Sequence, residues 1–113
     1  MCTKNQLADI TEKIALLSKS VFGNKLNSAI LYGSYARGEQ TKDSDIDIMI
    51  LADVSREELS LYKKPFILLT SELGLLHDVV VTVTLKDTET WKKYLETVPF
   101  YNNINREGIR IAI

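Results

Sequence analysis

Cysteine is almost missing from the chain. Cys2 is the sole one in 113 residues, so an intrachain disulfide is excluded and no cysteine-based zinc cluster can form. Histidine is as scarce, and with His77 alone a His-rich metal site is excluded too. Neither sign of charge dominates: fourteen Lys and Arg face fifteen Asp and Glu, a formal net charge of −1. No global basic field therefore gathers nucleic acid, and direct nucleic-acid binding is not expected. Long apolar runs are lacking as well. No stretch approaches the ~20 residues of a membrane span, and the N-terminus lacks the apolar core of a signal peptide. The expectation is a soluble, cytoplasmic protein without a membrane partner. There is no repeat, low-complexity segment or linker, and the length corresponds to one domain, residues 1–113.

What is present suits a small globule, with 45% of the residues hydrophobic and 26% charged. A chain of this size buries roughly two-thirds of the surface its unfolded form exposes, enough for one modest core. Residues 3–22 read as an amphipathic helix, because Leu7, Ile10, Ile14, Leu17 and Val21 recur at spacings of three and four. Gly23-Asn24 stops it. That stripe packs on the domain's own sheet or forms a dimer seam; fewer than three heptads favour the first. Residues 26–32 predict a strand ending at Gly33. Residues 45–51 alternate, with Ile46, Ile48 and Ile50 facing one way and Asp45, Asp47 and Met49 the other. Ser55 and Glu58 form a capping box for a helix towards Gly74, and Pro65 predicts a kink or two shorter helices. Residues 78–85 are rich in Val and Thr and predict a strand. Asp87 is expected to cap a helix over 88–97, Pro99 to end it, and a short helix over 100–106 to follow. A last strand is predicted over 109–113. Four strands alternating with helices define an α/β (α+β) class, a mixed four-stranded sheet with helices against it.

Two features carry chemistry. Gly33-Ser34-Tyr35-Ala36-Arg37-Gly38 follows the first strand, and a glycine there lets backbone N–H groups approach an anion while Ser34 adds a hydroxyl donor. If a helix begins after Gly33, its N-terminus favours phosphate at the same place. An ordinary turn is the plainer reading. Ser44-Asp45-Ile46-Asp47 opens the next strand, where residues two apart share a face. Two carboxylates side by side repel by on the order of a few kcal/mol at an effective dielectric of ~20. Such a pair is either a solvated acidic strand end or a site for a hard cation such as Mg²⁺, which takes one or two carboxylates plus substrate phosphates. Residues 39–53 carry a net −4 in a chain of −1. If the strand opened by Asp78 lies beside 45–51, three carboxylates converge next to a phosphate-binding turn. That arrangement suits in-line phosphoryl or nucleotidyl transfer. His77 reads as a polar residue at a strand entrance, Trp91, Tyr94, Phe100 and Tyr101 as packing residues, and Cys2 as incidental.

Gly33-Ser34-x-x-Arg37-Gly38 followed by Ser44-Asp45-x-Asp47 resembles the signature of the DNA polymerase beta-like nucleotidyltransferase superfamily. With Asp78 and the ending Asn105-Arg106-Glu107-Gly108-Ile109, residues 26–113 are similar to its minimal branch, the MntA-type antitoxins found beside HEPN-domain toxins. The resemblance implies that Gly33, Ser34, Arg37 and Ser44 bind the nucleotide, with Arg37 equally suited to bracing the acidic strand. It implies that Asp45, Asp47 and Asp78 are catalytic and ligate Mg²⁺, as two ions, and that Asp78 completes the metal site or takes the acceptor's proton. It further implies transfer of AMP from ATP to a tyrosine hydroxyl of the partner toxin, which is thereby silenced. A catalytically idle module that neutralises its partner by steric contact is the competing expectation.

Overall fold

The computed structural model describes residues 2–112. Helix α1 spans Lys4–Phe22, and a full capping box starts it: Gln6 N–H donates to the Thr3 hydroxyl while Thr3 N–H donates to the Gln6 side chain. Strand β1 (Leu26–Tyr32) leads through a four-residue helix α2 (Ser34–Arg37) to β2 (Ile46–Ala52). A 3-10 turn (Glu58–Tyr62) runs into α3 (Lys63–His77), followed by β3 (Val81–Asp87), α4 (Thr88–Tyr94), α5 (Pro99–Glu107) and β4 (Ile109–Arg110). The sheet order is β3-β2-β1-β4, with β1 antiparallel to both β2 and β4 and β2 parallel to β3. Helix α3 supplies the crossover that a parallel pair needs.

The alternation in β2 divides the core into two layers. Ile46, Ile48 and Ile50 are fully buried with Ile10 and Ile14 of α1 and Phe66 and Leu73 of α3. Met49 and Leu51 face the other way, against Trp91 of α4 and Ile104 of α5. The stripe of α1 is thus core and not a seam. At its start, Cys2 N–H donates to the Tyr35 hydroxyl of α2 at 3.3 Å, joining the beginning of the chain to the turn after β1.

Several boundaries differ from the predicted ones, each for a local reason. Ser55 and Glu58 do exchange reciprocal hydrogen bonds of 3.2 Å, but they open the 3-10 turn, and α3 begins afterwards. Pro65 falls in the first turn of α3, where its missing N–H has no intrahelical partner to lose. Strand β3 starts at Val81, three residues after the predicted start. Asp78 instead ends α3 in the left-handed conformation at φ 52°, and Val79 N–H turns back to the Gly74 carbonyl. Asp87 caps α4 as expected, accepting from Thr90 N–H at 2.9 Å, but α4 ends at Tyr94. The predicted last strand shrinks to two residues among those described, and Ile113 lies outside them.

Candidate active site

The sharpest local feature is the contact between the turn after β1 and the start of β2. Gly33 has φ 77°, and its carbonyl accepts from Ala36 and Arg37 N–H at 3.1 and 3.2 Å, which folds α2 back over the strand end. A Cβ built on Gly33 would stand 2.7 Å from Oδ2 of Asp47. Any side chain here would collide with the carboxylate in a backbone conformation that L residues rarely adopt. The glycine therefore keeps open a nook bounded by the backbone of the turn and by Asp47.

Asp47 is half-buried on the α4–α5 face, and Asp45, one residue before β2, is exposed. Burial first, and then the negative charge of Asp45, raise the Asp47 carboxyl above the ordinary carboxylate range. Strand register places Tyr32 of β1 and Thr82 of β3 on either side of Asp47. Tyr32 is itself raised, by burial and by the Asp47 charge, against a lowering hydrogen bond from Thr84. Its ring meets Phe100 edge-on at 5.9 Å between centroids. Next to the nook, Tyr32, Gly33, Arg37, Phe100, Asn103 and Glu107 help to line a hollow of about 250 Å³.

The predicted residues separate into groups. Gly33, Ser34, Asp45 and Asp47 stand at one end of the sheet, where β1 leaves and β2 enters. Arg37 pairs with Glu39 at 3.3 Å and with Glu107 of α5 at 3.7 Å, so it bridges the turn to the last helix. The Ser44 hydroxyl accepts from Thr41 N–H at 2.9 Å and shapes the turn that delivers Asp45. Asp78 is not on β3 as expected, because the left-handed helix end takes it, and Thr82 is the β3 residue in register with Asp47. Among the described residues no three His, Cys, Asp or Glu side chains gather closely enough to hold a metal ion. His77 ends α3 and its Nε2 lies 2.8 Å from Asp9 of α1, tying the two helices together. Sequence reasoning missed Tyr32, Asn103 and Glu107. For Tyr32 the position directly before Gly33 was a usable signal, while the other two arrive only with the packing of α5.

The donor set tests the fit of a divalent cation. Two carboxylates with hard oxygen donors, one held against the turn at Gly33, suit Mg²⁺ completed by substrate phosphate oxygens.

The chain is similar to known proteins in sequence and in fold. The nucleotidyltransferase domain family matches residues 15–107, and the chain belongs to it. Its activity is that of a nucleotidyltransferase. Two proteins of Methanocaldococcus jannaschii, each named "Putative protein adenylyltransferase", are similar to it. One is 34% identical over 90 residues, covering 80% of this chain and 82% of its own. The other is 38% identical over 81 residues, covering 71% and 79%. In fold, the chain is similar to a crystal structure of a toxin-antitoxin with AMP-PNP, at a TM-score of 0.57 and 23% identity, over 90% of this chain and 72% of that one. It is also similar to a nucleotidyltransferase structure from Sulfolobus solfataricus, at a TM-score of 0.57 and 19% identity, over 93% and 80%.

Proposed function

We propose that this nucleotidyltransferase is an MntA-type antitoxin that transfers AMP from ATP to a tyrosine hydroxyl of a HEPN-domain toxin partner. The observation that carries the reading is the contact of Gly33 with Asp47. A turn backbone lying directly against a carboxylate, with no side chain between them, suits a chain of phosphates whose charge is shared with a cation. Relatives named as protein adenylyltransferases and a structural neighbour crystallised with AMP-PNP support the class of donor and acceptor.

In this reading Gly33 admits the triphosphate to the backbone and Ser34 donates a hydroxyl to it. Asp45 and Asp47 hold the Mg²⁺, which when bound neutralises phosphate charge and acidifies an attacking hydroxyl. The raised carboxyl of Asp47 fits that task, since a half-buried acid beside another acid gains most from a cation. Tyr32 and Phe100 form an aromatic wall next to the phosphate end. Arg37, held by Glu39 and Glu107, braces α2 against α5. Asp78 ends α3 three residues before β3, and this reading rests on Asp45 and Asp47 without it.

That placement of Asp78 favours one competing reading, a module that neutralises its partner by contact alone. The intact mass of the toxin after incubation with ATP and Mg²⁺ separates the two. The wild type is expected to add AMP-sized increments and Asp45→Asn none. A toxin left unmodified yet fully inhibited by both proteins would establish the contact mechanism instead.

A further inference from the structure

The outer side of α3 carries an apolar row that nothing in the fold covers. Leu61, in the 3-10 turn leading into the helix, is 76% exposed, Leu68 61% and Leu75 88%. Leu68 and Leu75, seven residues apart, fall on one line along the helix, as at one position of a heptad, and Leu61 precedes them in the 3-10 turn. The inward side is already served by Phe66 and Leu73, both buried against the sheet. Single exposed leucines are ordinary, whereas several along one side of a helix mark an interface.

The charges on the same side identify its occupant. Lys64 stands four residues before Leu68 and Glu72 four residues after it, both exposed. Reversing the helix about Leu68 exchanges Lys64 with Glu72, leaves Leu68 on itself, and turns Leu75 towards the 3-10 turn that carries Leu61. A surface complementary to its own reversed copy is what a twofold axis requires. Lys63 and Lys64 also occupy the first turn of α3, which holds no acidic residue. Cations are disfavoured at that positive end of the helix, and the Glu72 carboxylate of a reversed copy would answer them. Beside the row, a groove of about 290 Å³ lined by Phe66, Ile67, Val83 and Leu85 extends the apolar surface towards β3, the edge strand of the sheet. We propose that two copies of this chain associate through α3, antiparallel about Leu68. Helix α3 covers the sheet face opposite the one that carries Asp47, so the dimer leaves the nucleotide site open on each subunit. The inference does not depend on the reading of the toxin partner.

Light scattering on the eluting full-length chain, at tens of micromolar, tests it. The expected mass is twice 12.8 kDa. Leu68→Glu puts two carboxylates on the axis and should bring the mass down to that of one chain. Lys64→Glu and Glu72→Lys should each shift the protein towards monomer, and the double reversal should restore the dimer. All three positions are exposed, so circular dichroism and Mg-ATP affinity are expected to stay unchanged. A monomeric wild type, a Leu68→Glu variant that remains dimeric, or a double reversal that fails to recover would each overturn the proposal. So would a monomeric wild type whose Leu68→Glu variant no longer captures the toxin, which would give the face to that partner.

Discussion

One strand serves two opposite ends. On the face of β2 under α1 and α3, Ile46, Ile48, Ile50 and Ala52 are fully buried from the first residue to the last. On the other face, Met49 and Leu51 are equally buried, but Asp47 is half-covered and Asp45 is exposed. The second face is roofed by α4 and α5, seven and nine residues long, against nineteen and fifteen for α1 and α3. Over the start of β2 this thinner layer gives only partial cover, with Phe100 and Glu107 of α5 reaching as far as Tyr32 and Arg37. There the strand can present carboxylates beside Gly33. The site lies under the lighter helical layer, on a strand packed fully against the heavier one.

Two adjacent residues give the widest separation between the faces. Ile48→Ala should cost about 2–5 kcal/mol of stability through lost burial and a residual cavity, measured by urea unfolding, while the folded fraction still binds Mg-ATP. Asp47→Asn should act the other way. Because burial and Asp45 raise the Asp47 carboxyl in the folded state, stability falls as pH rises from the unfolded carboxylate value through the raised folded one. Removing the charge should therefore raise the melting temperature at neutral pH, while AMP transfer falls by more than about 100-fold, since loss even of a ligand's supporting partner can cost that much. A less stable Asp47→Asn protein would break the contrast. Next in size is Ser34→Ala, which should weaken Mg-ATP binding by about 1.5–3 kcal/mol, one hydrogen bond to a charged group, with no change in melting temperature. The smallest effect concerns the packed side. The His77 hydrogen bond, and then Lys13, lower the Asp9 carboxyl. A lowered acid contributes stability above its unfolded value near ~3.9 and loses it as pH falls through the folded value. Asp9→Asn should slightly lower the melting temperature at neutral pH, and the difference from wild type should vanish in acid.

Local chemistry was the legible part. The spacing in α1, the alternation in β2, the cap at Asp87 and the stop at Gly33 depend on neighbours within a few residues, and the structure keeps them. Asp78 shows where this fails. Its neighbours Val79, Val80 and Val81 are strong strand formers, but α3 must close its last turn before β3 can pair with β2, and Asp78 takes the left-handed position that closes it. Position in the chain therefore misplaced a carboxylate that propensity had put on a strand. Tyr32 and Glu107 were hidden for a different reason. One enters the site through the register of β1 on β2, and the other through an ion pair with a residue 70 positions away.

The hydrogen bond from Cys2 to Tyr35 has a practical consequence. Tyr35 belongs to α2, the helix that Gly33 begins, so the start of the chain rests against the element that frames the nook. Cys2 is also the only thiol, and burial raises it above the ordinary value, so alkylation is slow but has a single target. A fluorophore attached there would report on the nucleotide turn without any engineered residue, which makes the wild-type chain its own optical probe of ligand occupancy.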